Sequence, residues 1–211
     1  MAAEDEIPAN IDRVTVSAIA KYFGEVAEKG NRGPIGELAV LLSQGKLEPA
    51  VFAAHVRANG LEGEEWFRRQ VLDLSLGFIR DALGANTLTA ASLADIRSVN
   101  AFLHIAAGDF FACRPAEVAA VLGEQLMLIL EDAEISNDEE LLQVELQAAF
   151  GLGYDEYLAL GRTAFERAFL DLQLQQSMPG ANAQSLGRKL SALEPIYRLA
   201  TLRKRTLGAL Y

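Results

Sequence analysis

The side chains most able to do chemistry in this chain are carboxylates in one short acidic run. Six of the ten residues in 131–140 are Asp or Glu, and the longer segment 115–161 has eleven acidic residues and no Lys or Arg. A hard divalent cation such as Ca²⁺ takes about six to eight oxygen ligands, several of them from carboxylates. We therefore predict that Asp132, Glu134 and Glu139 are candidate ligands for Ca²⁺ or another divalent cation.

The same run also has an explanation that needs no ligand. Ser136 and Glu139 have the spacing of a capping box, in which the serine hydroxyl accepts from the Glu139 amide and the Glu139 carboxylate accepts from the Ser136 amide. Acidic residues in a first helical turn are also stabilised by the helix dipole. Three carboxylates precede this cap and are not explained by it: Glu131, Asp132 and Glu134. The sequence leaves both interpretations open.

The elements that would position these carboxylates are predicted to be helices. Apolar residues recur at three-to-four spacing along most of the chain, and no stretch alternates as a strand does. Glycine and proline mark the breaks between the periodic segments. The predicted helices cover residues 11–29, 34–44, 48–59, 64–83, 89–105, 115–130, 136–150, 154–176 and 184–210. Trp66 is expected to be buried by the helix at 64–83, and His104 is expected to be buried within its apolar run.

The pattern predicts an all-α protein, a compact bundle of about eight to ten helices with an internally duplicated helical hairpin. Segment 85–111 aligns with segment 132–157, and both read as turn, helix, small-residue break and second helix. At a shift of 48 residues the apolar positions pair as follows: Leu93 with Leu141, Ile96 with Val144, and Phe102 with Phe150.

The acidic stretch DAEISNDEE at 132–140 is followed by a glycine-containing turn, FGLGYDEY, at 150–157. This order resembles the TerB-like family of tellurite-resistance proteins, over about residues 64–175 and most closely over 128–160. The resemblance implies an all-helical, duplicated domain that binds divalent cations at helix starts and has a stress-associated or scaffold role without catalysis. By position, Asp132 and Glu139 match the family's acidic pair, whereas Ala133 replaces the usual glycine.

Composition and motifs narrow the classes of function. The net charge of −10 argues against nucleic acid as a partner, because phosphate binding needs a basic face. His55 and His104 lack carboxylate or Cys partners at metal-ligand spacing, and nothing beside Cys113 activates a thiol except Arg114. We therefore predict a protein that is not an enzyme and has neither a catalytic residue nor an organic cofactor site.

The chain is predicted to divide into a helical N-terminal extension (1–60), a TerB-like domain (61–176) and a C-terminal arm (177–211). The arm is a basic amphipathic segment suited to docking on the acidic body, to a partner helix or, less favourably, to an anionic membrane surface. A single cysteine and an acidic N-terminus favour a cytoplasmic location.

Two functional hypotheses remain from the sequence. The first is a non-enzymatic, TerB-like accessory protein that binds a divalent cation weakly and acts through protein contacts. The second is a purely structural helical adaptor, in which the acidic turn is only a capped helix start. Both predict a protein partner, and neither decides whether the chain forms a homo-oligomer.

Overall fold

The computed structural model describes residues 11–29, 33–45, 47–129, 136–180, 182 and 184–191, without the side chains of residues 11–17, 137 and 140. Every regular element in this part of the chain is a helix, which confirms the all-α prediction. The helices are α1 (Ile11–Lys29), α2 (Pro34–Ser43), α3 (Pro49–Ala58), α4 (Glu65–Gly84), α5 (Ala90–Phe102), α6 (Asp109–Cys113), α7 (Pro115–Ile129), α8 (Asn137–Ala149) and α9 (Tyr154–Gln176). Residues 184–191 are also helical.

The helix boundaries follow local chemistry. Pro34 and Pro49 occupy the first turns of α2 and α3, where the missing amide hydrogen has no intrahelical partner to lose. At the other end, Gly60 ends the α3 region with a positive φ of 61°, a conformation that glycine adopts without steric cost. Within the described residues, the predicted helix 89–105 differs most, because α5 ends at Phe102 and the short α6 follows. Residues 192–210 of the predicted helix 184–210 lie outside the described residues.

The first of two compact units comprises residues 1–78 and 91–105. Its described core includes Phe23, Leu38 and Leu93, all with no exposed surface. Gly77 on α4 leaves room for the phenol of Tyr22 on α1, where even a methyl group would clash with the hydroxyl. The buried Ser75 hydroxyl donates to Asn100 Oδ1 at 2.6 Å, so this core contains a polar pair between α4 and α5.

The second unit comprises residues 79–90 and 106–211. In it, α7 and α9 pack closely along their lengths. The rings of Phe110 and Phe150 meet edge to face with centroids 5.1 Å apart, and both residues are fully buried. A second apolar cluster lies between α7 and α9 and comprises Leu126, Ile129, Ala168 and Leu172.

Two burial predictions are wrong. Trp66 is 45% exposed, because its neighbour Phe67 takes the core position at this point of α4. His104 is also exposed and has a positive φ of 53° just beyond the end of α5. The prediction continues the helix through Ile105 and so places His104 on its apolar face. In the structure the helix ends earlier, within the apolar run, and His104 is not part of a helix.

The two hairpins predicted to be duplicates have the same local geometry at an interval of 47 residues rather than 48. α5 and α8 begin and end 47 residues apart. The closing bond from the Ile105 amide to the Asn100 carbonyl recurs between Leu152 and Gln147. At the predicted interval of 48, burial matches for one pair of three: Phe102 and Phe150 are both buried. Leu93 and Ile96 are buried, whereas their partners Leu141 and Val144 are exposed.

Candidate functional site

The start of α8 has the predicted capping box. The Glu139 amide donates to Ser136 Oγ at 3.2 Å, and Glu139 Oε2 accepts from the Ser136 amide and hydroxyl, both at 2.8 Å. One carboxylate oxygen of Glu139 therefore satisfies the helix start. The neighbouring Asp138 is exposed in the same first turn, where the helix dipole stabilises its negative charge.

The rest of the predicted cation site lies outside the described residues, because Asp132 and Glu134 belong to segment 130–135. Among the side chains that the structure does describe, no three of His, Cys, Asp or Glu are grouped so that they would hold a metal ion. The described geometry thus places Glu139 in a helix cap, and its role as a metal ligand remains a prediction.

A matching acidic cap lies at the loop before α9. The Gly153 amide donates to Glu156 Oε2 at 2.7 Å, and, 47 residues earlier, the Ala106 amide donates to Asp109 Oδ2 at 2.8 Å. These two loops lie side by side, because the Gly108 amide donates to the Gly151 carbonyl at 3.1 Å. Their carboxylates accept backbone hydrogen bonds at helix starts, as Glu139 does.

Tyr157 lies in the first turn of α9, just after this loop pair, and is partly buried. Desolvation by the surrounding protein raises the pKa of Tyr157 above its ordinary value, because the charged phenolate loses solvation on burial. This makes Tyr157 a weaker acid in the folded chain and leaves it a neutral hydroxyl at physiological pH.

A cleft in the second unit is lined by the end of α4, by α7 and by α9 and has a volume of about 640 Å³. Its lining includes small residues such as Gly123 and Ala164. A methyl group added at Gly123 would lie 3.7 Å from Ala164 Cβ, ordinary van der Waals contact. The charged lining residues are Glu124, Arg167 and Asp171. Sequence reasoning missed this cleft, although Gly123, Ala164 and Ala168 are small residues in otherwise leucine-rich helices.

An apolar stripe runs along the outer face of α9. Leu170 and Leu174 are each 62% exposed, and Met178, just beyond the helix, is 58% exposed. Leu170 and Leu174 are four residues apart and lie on one face of α9, and Met178 follows at the same spacing two residues beyond the helix end. The row, named here the α9 stripe (Leu170, Leu174 and Met178), is apolar surface directed to solvent.

The remaining chemically reactive groups are dispersed. His55 is buried, with Nδ1 3.8 Å from Glu37 Oε2 and 3.4 Å from Asn59 Nδ2, and no described group bonds its Nε2. Cys113 is a partly buried free thiol at the end of α6. The exposed His104 ring meets Phe52 edge to face with centroids 5.2 Å apart. These residues form no nucleophile–base pair with one another in the described geometry.

Comparison with known protein families, with curated proteins and with solved structures gave no match for this chain. The resemblance to the TerB-like family therefore remains a prediction. No helix in the described part of the chain is long and apolar enough to cross a membrane.

Proposed function

We propose that this chain is a non-enzymatic helical accessory protein that acts through protein contacts made by the α9 stripe. The observation that carries the proposal is the exposure of Leu170, Leu174 and Met178 in one row. Single exposed apolar residues are common on soluble proteins, whereas a continuous row at helical spacing is the arrangement that a partner's apolar surface covers.

The surroundings of the stripe suit a protein partner. Polar residues border it on α9, including Gln173 and the charged residues Arg167 and Asp171, which also line the cleft. An apolar centre with a polar rim is the usual anatomy of a protein interface. The stacked ring of Phe169, also exposed, adds aromatic area beside the row.

The repeated hairpin geometry supports the wider proposal that the protein is of the TerB-like kind. α5 and α8 begin 47 residues apart and end 47 residues apart. The capping carboxylates Asp109 and Glu156 are separated by the same interval. An internally duplicated helical domain is what that resemblance implies. A non-catalytic role is part of the same proposal.

The test is co-purification of partners with the full chain, followed by measurement of their affinities as purified proteins. The stripe variant is Leu170→Gln with Leu174→Gln and Met178→Gln, because glutamine keeps helix propensity while removing apolar surface. The matched control is Leu141→Gln with Val144→Gln, two exposed apolar residues on α8. We expect the stripe variant to bind its partner at least about tenfold more weakly, roughly 1.4 kcal/mol, and the control to bind normally. Equal binding by all three proteins would exclude the stripe as the interface.

A second candidate function, favoured by the acidic run itself, is weak binding of Ca²⁺ or another divalent cation by Asp132, Glu134 and Glu139. The capping box leaves one Glu139 oxygen outside its two described bonds. The cap does not account for Asp132 and Glu134, whose mutual repulsion a cation would relieve. This site would regulate or stabilise an accessory protein and requires no catalysis.

Thermal melting in rising Ca²⁺, Mg²⁺ or Zn²⁺ tests this second function. A ligand that binds only the folded state at about ten times its dissociation constant adds roughly 1.4 kcal/mol of stability. We expect Asp132→Asn with Glu139→Gln to abolish the shift in melting temperature, because two of the three proposed carboxylate ligands are removed. The helix start should be kept, since glutamine can still complete the capping box. The control, Asp81→Asn with Glu166→Gln, removes the same charges elsewhere. No shift at millimolar cation, or a shift that survives the first variant, contradicts the proposed site.

A further inference from the structure

The cleft between α7 and α9 adjoins the last described helix of the chain. Leu186 and Leu190 of helix 184–191 pack against the cluster of Leu126, Ile129, Ala168 and Leu172, with Met127 beside them. Ala168 and Met127 also line the cleft. The last described helix therefore packs against a cluster that shares Ala168 with the cleft lining.

The length of chain that follows is sufficient to cover the cleft. Twenty residues, 192–211, come after Ser191, and in helical form they would extend about 30 Å. The cleft follows α7 only from Ala120 to Leu128. A segment of this length, tethered beside the opening, has a high effective concentration at the cleft.

The charges and apolar residues of segment 192–211 complement those of the cleft. The cleft has two carboxylates, Glu124 and Asp171, against the one guanidinium of Arg167. Segment 192–211 has four basic residues against the single acid Glu194, interspersed with leucines at 199, 202, 207 and 210. Five of the cleft's lining residues are glycine or alanine, at 84, 120, 123, 164 and 168, which leaves room for leucine side chains from a partner helix.

We propose that the C-terminal segment, residues 192–211, docks within its own chain on the α7–α9 cleft. Its leucines fill the space above Gly123 and Ala164, and its basic side chains pair with Glu124 and Asp171. The stripe residues Leu170, Leu174 and Met178 do not line the cleft, so the inference does not rest on the proposed function. A docked segment would shield the acidic cleft of the second unit and would leave the stripe available to a partner.

Zero-length carbodiimide crosslinking of the full chain tests the docking. The reagent joins a lysine amine to a carboxylate in direct contact, and Lys204 is the only lysine in residues 192–211. We expect peptide mapping of the monomer to find Lys204 joined to Glu124 or Asp171. A mixture of isotopically light and heavy protein separates bonds within one chain from bonds between copies.

Amide exchange on full-length variants supplies the second readout. Glu124→Lys with Asp171→Lys should repel the segment, whereas Glu117→Lys with Glu166→Lys places the same charges on the same helices outside the cleft lining. We expect exchange within residues 120–128 and 164–171 to become about tenfold faster in the first variant only, the effect of losing roughly 1.4 kcal/mol of docking.

Three results would overturn the proposal. The first is an absence of Lys204 crosslinks to the two cleft carboxylates. The second is crosslinks that form only between light and heavy copies. The third is equal exchange in wild type and both charge variants. In the third case, amide exchange at the cleft is the same in all three proteins. If the full chain then binds vesicles of anionic lipid through the segment, the segment would be assigned to a membrane surface.

Discussion

The carboxylate of Glu139 makes its described bonds at its own helix start, where Oε2 accepts from the amide and hydroxyl of Ser136. This is the geometry that the S-x-x-E spacing predicts, so the sequence was sufficient for the local chemistry of the cap. The sequence was not sufficient to predict a bound cation, because a cation site depends on where Asp132 and Glu134 lie in space.

Replacement of Ser136 with alanine measures the contribution of the cap. The variant leaves the Glu139 amide without its side-chain acceptor and should lower the free energy of unfolding by about 1 kcal/mol. Urea denaturation of the full chain gives this value. Ser98→Ala is the control, since the Ser98 hydroxyl only approaches the Ala94 carbonyl at 3.5 Å within an exposed helix turn. Equal stability of Ser136→Ala and wild type would show that the cap contributes nothing.

Tyr157 should make the stability of the protein fall at alkaline pH. Desolvation raises the pKa of the folded phenol above its ordinary value near 10. Between the unfolded and folded pKa values, the unfolded chain has lost a proton that the folded chain keeps, so the free energy of unfolding decreases as pH rises. Below pH 10 both states are protonated and this contribution is fully present.

The measurement is chemical denaturation at pH 8 and above pH 10 for wild type and Tyr157→Phe. Phenylalanine has no titratable group, so the loss of stability over this pH range should be smaller in the variant. Parallel losses in the two proteins would exclude Tyr157 as the alkaline-sensitive group.

The burial errors at Trp66 and His104 show what residue-level reasoning lacks. Trp66 and Phe67 are adjacent apolar residues, and only one of them can face inward at that point of α4. His104 lies two residues beyond the end of α5 in a left-handed conformation, so its environment depends on where the helix stops. Both outcomes are decided by packing and helix termination, which a hydrophobicity pattern does not specify.

At the scale of elements, the helices were largely predictable because glycine, proline and caps mark their ends. The interval between the two hairpins was not predictable. An alignment of two amphipathic helices that is shifted by one residue still pairs many apolar positions. The structure fixes the interval at 47 through the helix ends and their closing bonds. The exposed α9 stripe was also missed, because its leucines have the same spacing as core leucines.

Gly151 should be less tolerant of alanine than Gly60, although both have positive φ in the same type of helix ending. A methyl group at Gly151 would lie 3.1 Å from Ala107 Cα, whereas none of the surrounding atoms lies within 4 Å of the equivalent position at Gly60. Both substitutions should cost about 1 kcal/mol from the backbone conformation, and Gly151→Ala should cost roughly 1–2 kcal/mol more by pushing the two loops apart.

Urea denaturation of the two variants isolates this difference. A larger loss of stability at Gly151 would support the close approach of the loop at residues 106–109 to the loop at 151–156. Equal losses would mean that the loops separate without cost and that only the φ angle matters.

Loss of one partner from the buried polar pair of Ser75 and Asn100, between α4 and α5, should lower the stability of the protein. Asn100→Ala removes the acceptor of the Ser75 hydroxyl, which has no exposed surface. An unsatisfied buried hydroxyl costs about 1–3 kcal/mol. Adding Ser75→Ala to this variant should recover part of that loss, and denaturation of both variants checks it. Further destabilisation by the second substitution would contradict the pairing account.

At the scale of the whole molecule, charge and composition specify an acidic, all-helical protein but not its role. The described structure adds surfaces that composition does not locate: a cleft with acidic lining and an apolar stripe on α9. Which surface meets a partner depends on exposure, which the fold alone determines. The central claim is therefore that protein contacts occur at the stripe.

The most direct test of that claim is amide exchange of the full chain with and without a partner obtained by co-purification. We predict that exchange slows within residues 169–178, where Leu170, Leu174 and Met178 would be covered, and that the stripe variant shows no such slowing at the same partner concentration. Slowed exchange in other helices with residues 169–178 unchanged would contradict the account and place the interface elsewhere.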